Sequence, residues 1–195
     1  MMGDPKKSRK KYIYGKPRRA WNEDLLREEL QLLGEYGLRN KRELWLARAL
    51  LRRTKERARA LLSAPLEERE EAENQFKERL YRQGLINDTS VPLDNVLSLD
   101  IRAVLERRLQ TLVVRRGLAK SMYQARQMIV HGHVAVAGRR VTSPGFLVSR
   151  ELEDQISYAP TSPYANAPPA TQGEGGLGDH HGRAANARGG GSGGR

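Results

Sequence analysis

The sequence predicts an α+β chain, with a helical bundle in the first half and a small module of two helices followed by short β-strands in the second. Three observations carry this. Apolar residues recur at helical spacing from residue 20 to residue 84 and again from 100 to 131. The period then changes to two at Val134 and Val136. Glycines stand where the helical runs stop, at Gly84, Gly117 and Gly132. A basic N-terminal arm and a Gly-rich tail leave about 140 of the 195 residues for packed structure, enough for two small units.

Residues 1–19 hold Lys6, Lys7, Arg9, Lys10, Lys11, Lys16, Arg18 and Arg19, interleaved with Tyr12 and Tyr14. Pro5, Gly15 and Pro17 argue against regular structure, so this is read as a flexible basic arm with rings for stacking. The helical domain is expected over 20–100. Its first helix, 20–34, has Leu25, Leu26, Leu30 and Leu33 on one side. Asn40 followed by Glu43 fits an N-cap with a reciprocal carboxylate. Leu44, Ala47, Leu51, Ala58 and Leu62 then recur to about Ala64, with Arg48, Arg52, Lys55 and Arg59 on the opposite face. Pro65 opens the next helix, and Glu67, Glu68, Glu70, Glu71 and Glu73 complement its positive end. Ala72, Phe76 and Leu80 line its inner side, and residues 85–100, with Pro92, make a connector.

The second unit is expected over 101–159. One helix from about Asp100 turns Ile101, Leu105, Leu109 and Leu112 inward, with Arg107, Arg108, Arg115 and Arg116 on its flanks, and runs to Gly117. Ser121 caps a second helix, whose Ala125 and Ile129 lie one turn apart. Val134 and Val136 alternate, Ala137-Gly138 turns the chain, and Arg139, Arg140 and Val141 return. Phe146–Val148 and Gln155–Tyr158 are expected as further short strands. Residues 160–195 form a flexible Pro/Gly-rich tail; ten of the 19 glycines fall between 173 and 195, a composition that cannot bury a core.

Charge points to the partner. The formal net charge is +12, and 26 of the 35 cations are Arg, whose planar fork suits phosphate and stacking on bases. Residues 1–20 carry eight basic and one acidic side chain, and residues 101–150 carry ten and one. A merely solubilising surface mixes signs. A polyanion is therefore the expected partner. With no Cys there is no disulfide scaffold, thiolate zinc site or thiol catalysis. The longest apolar run is four residues, so no membrane span is expected, and the start has no secretory pattern. A cytoplasmic protein is the expectation.

Other signals carry little. Gly173, Gly175 and Gly178 match a dinucleotide pattern but sit in the tail, without strand or helix. Asn87-Asp88-Thr89 is read as a polar connector. The pairs His131/His133 and His180/His181 lack a third ligand, so no metal and no cofactor is expected. No Ser/His/Asp set or convergent carboxylate pair stands out, so the chain is expected not to be an enzyme.

The segment RLQTLVVRRGLAKSMYQARQMIVHGHVAVAGRRV places two short helices against a hairpin. Arg115, Arg116, Lys120, Arg126, Arg139 and Arg140 are expected on one face, suited to the shape and phosphates of folded RNA. A winged helix-turn-helix that binds DNA is the alternative, with Gln124, Arg126 and Gln127 of residues 121–131 as base readers.

Within that segment, GLAKSMYQARQMIVHGHVAVAGRRV resembles the RNA-binding module named after small-subunit ribosomal protein S-four. Ser121, Ala125, Ile129, Gly132, Val134, Val136 and Gly138 match its pattern in register; Met122 and Ala137 depart, where many members have Arg and Asn. MGDPKKSRKKY, NKRELWLARALLRRTKERARALL, LSLDIRAVLERRLQTLV and YAPTSPYAN are similar to the archaeal and eukaryotic form of that ribosomal protein family, from about residue 2 to 166. The resemblance implies a structural constituent of the small subunit that binds its ribosomal RNA early in assembly. It also implies a place near the messenger RNA entry path, beside ribosomal proteins S-three and S-five. By the same resemblance the six cations of the module are the first RNA-contact residues, Lys10, Lys11, Arg18 and Arg19 the second, and Arg52 and Arg59 the third, since helix rotation decides them.

Overall fold

The computed structural model describes Pro17 and residues 21–165. The arm residues Lys10, Lys11, Arg18 and Arg19 lie outside the described residues, as do Gly173, Gly175, Gly178, His180 and His181. Helix α1 spans Glu23–Glu35, and the Asn22 side chain accepts from the Asp24 N–H. Of the leucine stripe read from the sequence, Leu33 packs against the first core but Leu30 turns outward. Leu30 is 61% exposed, while Glu29 and Leu32 are buried. The rotation has a cause in α2 (Lys41–Leu62): Arg48, Trp45 and Lys41 all bond the Glu29 carboxylate. A buried carboxylate is tolerable only when so partnered.

Helix α3 spans Leu66–Arg82, with Pro65 at its N-cap, and Phe76 and Leu80 face inward. It closes at Gly84, whose φ of +70° suits a residue without Cβ. The connector after it contains a helix not foreseen, α4 (Leu93–Ser98), capped by Pro92 and burying Leu93 and Val96.

The single helix expected after Asp100 is two: α5 (Ile101–Glu106) and α6 (Leu109–Arg115). Arg108 is extended between them, at φ −73° and ψ 140°. The loop at 143–148 makes the break. Leu109 donates to the Phe146 carbonyl at 2.8 Å, and Val148 donates to that of Arg107 at 3.0 Å. At the break the Leu105 carbonyl accepts from the Arg108 N–H at 3.3 Å and from the Thr111 hydroxyl at 2.9 Å.

Helix α7 spans Met122–Val130. The strands β1 (Val134–Val136), β2 (Arg139–Arg140) and β3 (Ile156–Tyr158) form an antiparallel sheet in the order β2-β1-β3, with Val136 opposite both Arg139 and Ile156. Phe146–Val148 is not a strand; Leu147 makes one isolated bridge to Arg108. A short α8 (Arg150–Glu153) precedes β3. The chain also stays packed past residue 160. Ser162 is buried, Pro163–Ala165 form a 3-10 turn, and Tyr164 rests against the second core. One apolar cluster gathers residues from Leu32 to Leu105, and a second gathers residues from Leu109 to Ile156.

Candidate nucleic-acid interface

The face is built on α6, α7 and the hairpin. Gly117 and Gly132 stop the two helices at φ +71° and +77°. The Ser121 hydroxyl accepts from the Gln124 N–H at 3.2 Å, which starts α7 cleanly. Ala125, Met128 and Ile129 bury one side of α7. The opposite side exposes Tyr123, Gln127 and Val130, spaced four and three residues apart; Tyr123 is 63% exposed. Ala137 and Gly138, at φ +50° and +73°, form the tight turn that points β2 back along β1. Arg139 and Arg140 are both exposed on β2. The Arg140 side chain lies over Gly132, where a Cβ would stand 2.8 Å from its Cδ. That brings Arg140 to the C-terminal end of α7. Lys120 is exposed at the other end of the same helix.

The six expected module cations therefore separate into three groups. Lys120, Arg139 and Arg140 are exposed and, among the described residues, in no ion pair. Arg115 and Arg116 are at the surface but engaged, Arg115 with Glu106 at 2.8 Å and Arg116 with Asp154 at 2.6 Å. Arg126 is turned inward: its Nη2 donates to Glu43 Oε1 at 2.7 Å and its side chain is only 18% exposed. On α2, Arg52 pairs with Glu56 at 2.8 Å, and Arg59 is exposed.

Glu43 was not visible as a joining residue. The Asn40 side chain does accept from the Glu43 N–H at 3.2 Å. The Glu43 carboxylate does not return the bond; it takes Arg126 and also Arg108, at 2.6 Å. Burial alone would push this carboxyl up, but the hydrogen bonds and charges of Arg126 and Arg108 outweigh it and hold it below the usual range. Burial in turn lowers the Arg108 guanidinium from its ordinary value, against the pull of Glu43. Beside them the buried Gln110 amide donates to the carbonyls of Gly37, Met122 and Tyr36 at 3.0, 2.9 and 3.3 Å. The helical bundle is thus tied to α7 by side chains, and the module face keeps one orientation to it.

Of the histidines, His133 Nδ1 lies 3.1 Å from the Ser162 hydroxyl with Tyr164 edge-on at 5.0 Å, and His131 is exposed. Among the described residues, no three His, Cys, Asp or Glu side chains gather as a metal site, and no helix is long and apolar enough to cross a membrane.

Residues 107–156 match the S4 domain family. The match starts at the interruption between α5 and α6 and ends on β3. A small ribosomal subunit protein uS4 from Caldivirga maquilingensis is 66% identical over 161 residues, covering 83% of this chain and 89% of that protein. The chain belongs to the uS4 family. The uS4 protein of Pyrobaculum neutrophilum is 69% identical over 156 residues, 80% of this chain and 98% of its own length. That of Ignicoccus hospitalis is 57% identical over 163 residues, covering 84% and 96%. These uS4 relatives are archaeal, as the sequence resemblance implied, and uS4 is a structural ribosomal protein, not an enzyme.

Proposed function

We propose that this chain is a cytoplasmic, ribosome-bound constituent of the small ribosomal subunit that binds small-subunit ribosomal RNA directly. Lys120, Arg139 and Arg140 are its leading phosphate contacts. The observation that carries the reading is this group of exposed cations at the two ends of α7, in no ion pair among the described residues, with the open Tyr123 ring on the helix between them. Cations hold phosphates at fixed register and an exposed ring receives an unstacked base, which is how folded RNA is gripped. Arg115 and Arg116 join by exchanging an acidic partner for phosphate. Arg126 serves as an internal tie. Lys10, Lys11, Arg18, Arg19, Arg52 and Arg59 extend the contact.

The finer role follows the family resemblance: nucleating subunit assembly, and a position near the messenger RNA entry path beside ribosomal proteins S-three and S-five. The division of the chain into arm, helical domain, module and tail belongs to the same proposal. The winged-helix DNA reading is disfavoured by what two of its three base readers do. Gln124 Oε1 accepts from the Lys120 N–H at 2.7 Å, and Arg126 is held by Glu43.

The test is sucrose-gradient fractionation of the native lysate across a salt series. Migration with the small subunit that survives moderate salt is expected. Recovery only in the light fractions rejects the proposal.

A further inference from the structure

A second feature lies away from the α7–hairpin face. Between the helical bundle and the loop at 143–147 is a cleft of about 660 Å³. Its floor is apolar, from Leu46, Leu50, Phe76, Leu80 and Leu147. Leu46 and Leu147, one from α2 and one from the loop, are 40% and 42% exposed and line the same cleft. A smaller cavity of about 150 Å³ continues it, sharing Leu50, Gln83, Val104 and Leu147. Arg53, Arg57 and Arg79 stand at the edges, and all three are exposed. Arg57 and Arg79 form no ion pair among the described residues. Among the described residues the one acid lining the cleft, Glu43, is taken by Arg108 and Arg126. The cleft is therefore apolar inside and positive outside.

We propose that this cleft docks an acidic amphipathic segment of a partner protein, with its apolar side chains on the Leu46–Leu147 floor and its carboxylates on Arg57 and Arg79. Charge selects a negative occupant, and the floor selects among negative occupants. RNA held by its phosphates gains nothing from an aliphatic floor, and stacking of its bases wants an open ring face. The only aromatic residue lining the cleft among the described residues, Phe76, is 5% exposed, with the Arg57 guanidinium 5.7 Å over its ring. Aliphatic surface instead rewards burial of Leu- or Phe-like side chains, as when an amphipathic helix lies in a groove. The proposal does not depend on the RNA face described above.

The experiment is fluorescence anisotropy with the purified full chain. The probe is a fluorescein-labelled synthetic peptide of about four helical turns, with Leu along one side and Glu or Asp elsewhere. A peptide of equal charge with every Leu replaced by Ser and a uridine-rich RNA of similar charge are the comparators. The leucine peptide is expected to bind at least about tenfold tighter than the serine peptide. Leu147→Asp and Arg79→Glu should each weaken it severalfold, while Arg139→Ala with Arg140→Ala leaves it unchanged. Circular dichroism checks the fold; should Leu147→Asp fail to fold, Leu46→Gln and Arg79→Glu carry the test. No binding of the leucine peptide, equal binding of the serine peptide, or indifference to these substitutions overturns the proposal. So does RNA affinity that falls with Leu147→Asp, which would assign the cleft to nucleic acid.

Discussion

Glu43 and Arg126 meet at 2.7 Å although 83 residues separate them. The first is in the opening turn of α2, the second in the middle of α7. Their pairing, with Arg108 on the other carboxylate oxygen, fixes the RNA-binding module against the helical bundle. Such a tie gives orientation more than stability, because desolvating three charges offsets most of the attraction between them.

Removing one member leaves buried charge without a counterion. Glu43→Gln should cost about 3 kcal/mol, the lower end for breaking a buried pair. Urea unfolding followed by circular dichroism reads this as a lower midpoint. A loss under about 1 kcal/mol would show that the three charges do not act together.

The same carboxylate has a pH signature. Its folded pKa lies below its unfolded value, so its contribution is complete above the ordinary glutamate value of about 4.3 and disappears as pH falls through the lower folded value. The native chain should lose stability over that acid window, and Glu43→Gln should show a shallower loss there. Unfolding midpoints measured from neutral to acid pH compare the two slopes.

Arg139→Ala with Arg140→Ala removes two exposed cations and no described ion pair. RNA affinity should fall, and the slope of log affinity against log salt should flatten by about 1.5, from roughly 0.7–0.9 per phosphate contact. Thermal stability should stay within about 0.5 kcal/mol. A filter-binding titration at several salt concentrations checks the slope; an unchanged slope removes β2 from the interface.

Tyr123→Ala should weaken RNA binding by ~1–3 kcal/mol, the value of one stacked base, and Tyr123→Phe should restore most of it. A titration in which both variants bind like the native chain would mean the ring meets no base.

Ala137 holds φ +50° in the hairpin turn. Asn tolerates that region better than Ala, so Ala137→Asn should raise stability by about 0.5–1 kcal/mol, or roughly 1–4 °C in Tm. Differential scanning calorimetry decides it. No gain would mean the turn relaxes away from this conformation at no cost.

What the sequence disclosed was local. Caps at Asn40 and Ser121, stops at Gly84, Gly117 and Gly132, and the period-two hairpin each depend on a few neighbouring residues, and each is present. What it hid is long-range. Ile101, Leu105, Leu109 and Leu112 keep one helical spacing although the chain breaks at Arg108, because the interruption comes from carbonyls at 144 and 146. Helix α4 was obscured by Pro92, which reads as a loop residue but here stands at the cap. Leu30 turns outward next to a buried Glu29, whose carboxylate has three donors on α2 that no local pattern announces. In the site, Arg126 has the chemistry of a phosphate contact, and only the fold reveals that Glu43 holds it.

The membership of α5 in the first apolar cluster bears on how the chain is made. Leu44 and Leu80 share a cluster with Val104 and Leu105, so the wall that closes the first core is synthesised last. During translation the bundle stays ajar until α5 has cleared the exit tunnel. The amide of Gln110 then waits a further stretch for the carbonyl of Met122. A pause in synthesis within that stretch would leave the N-terminal half closed and its neighbour unformed.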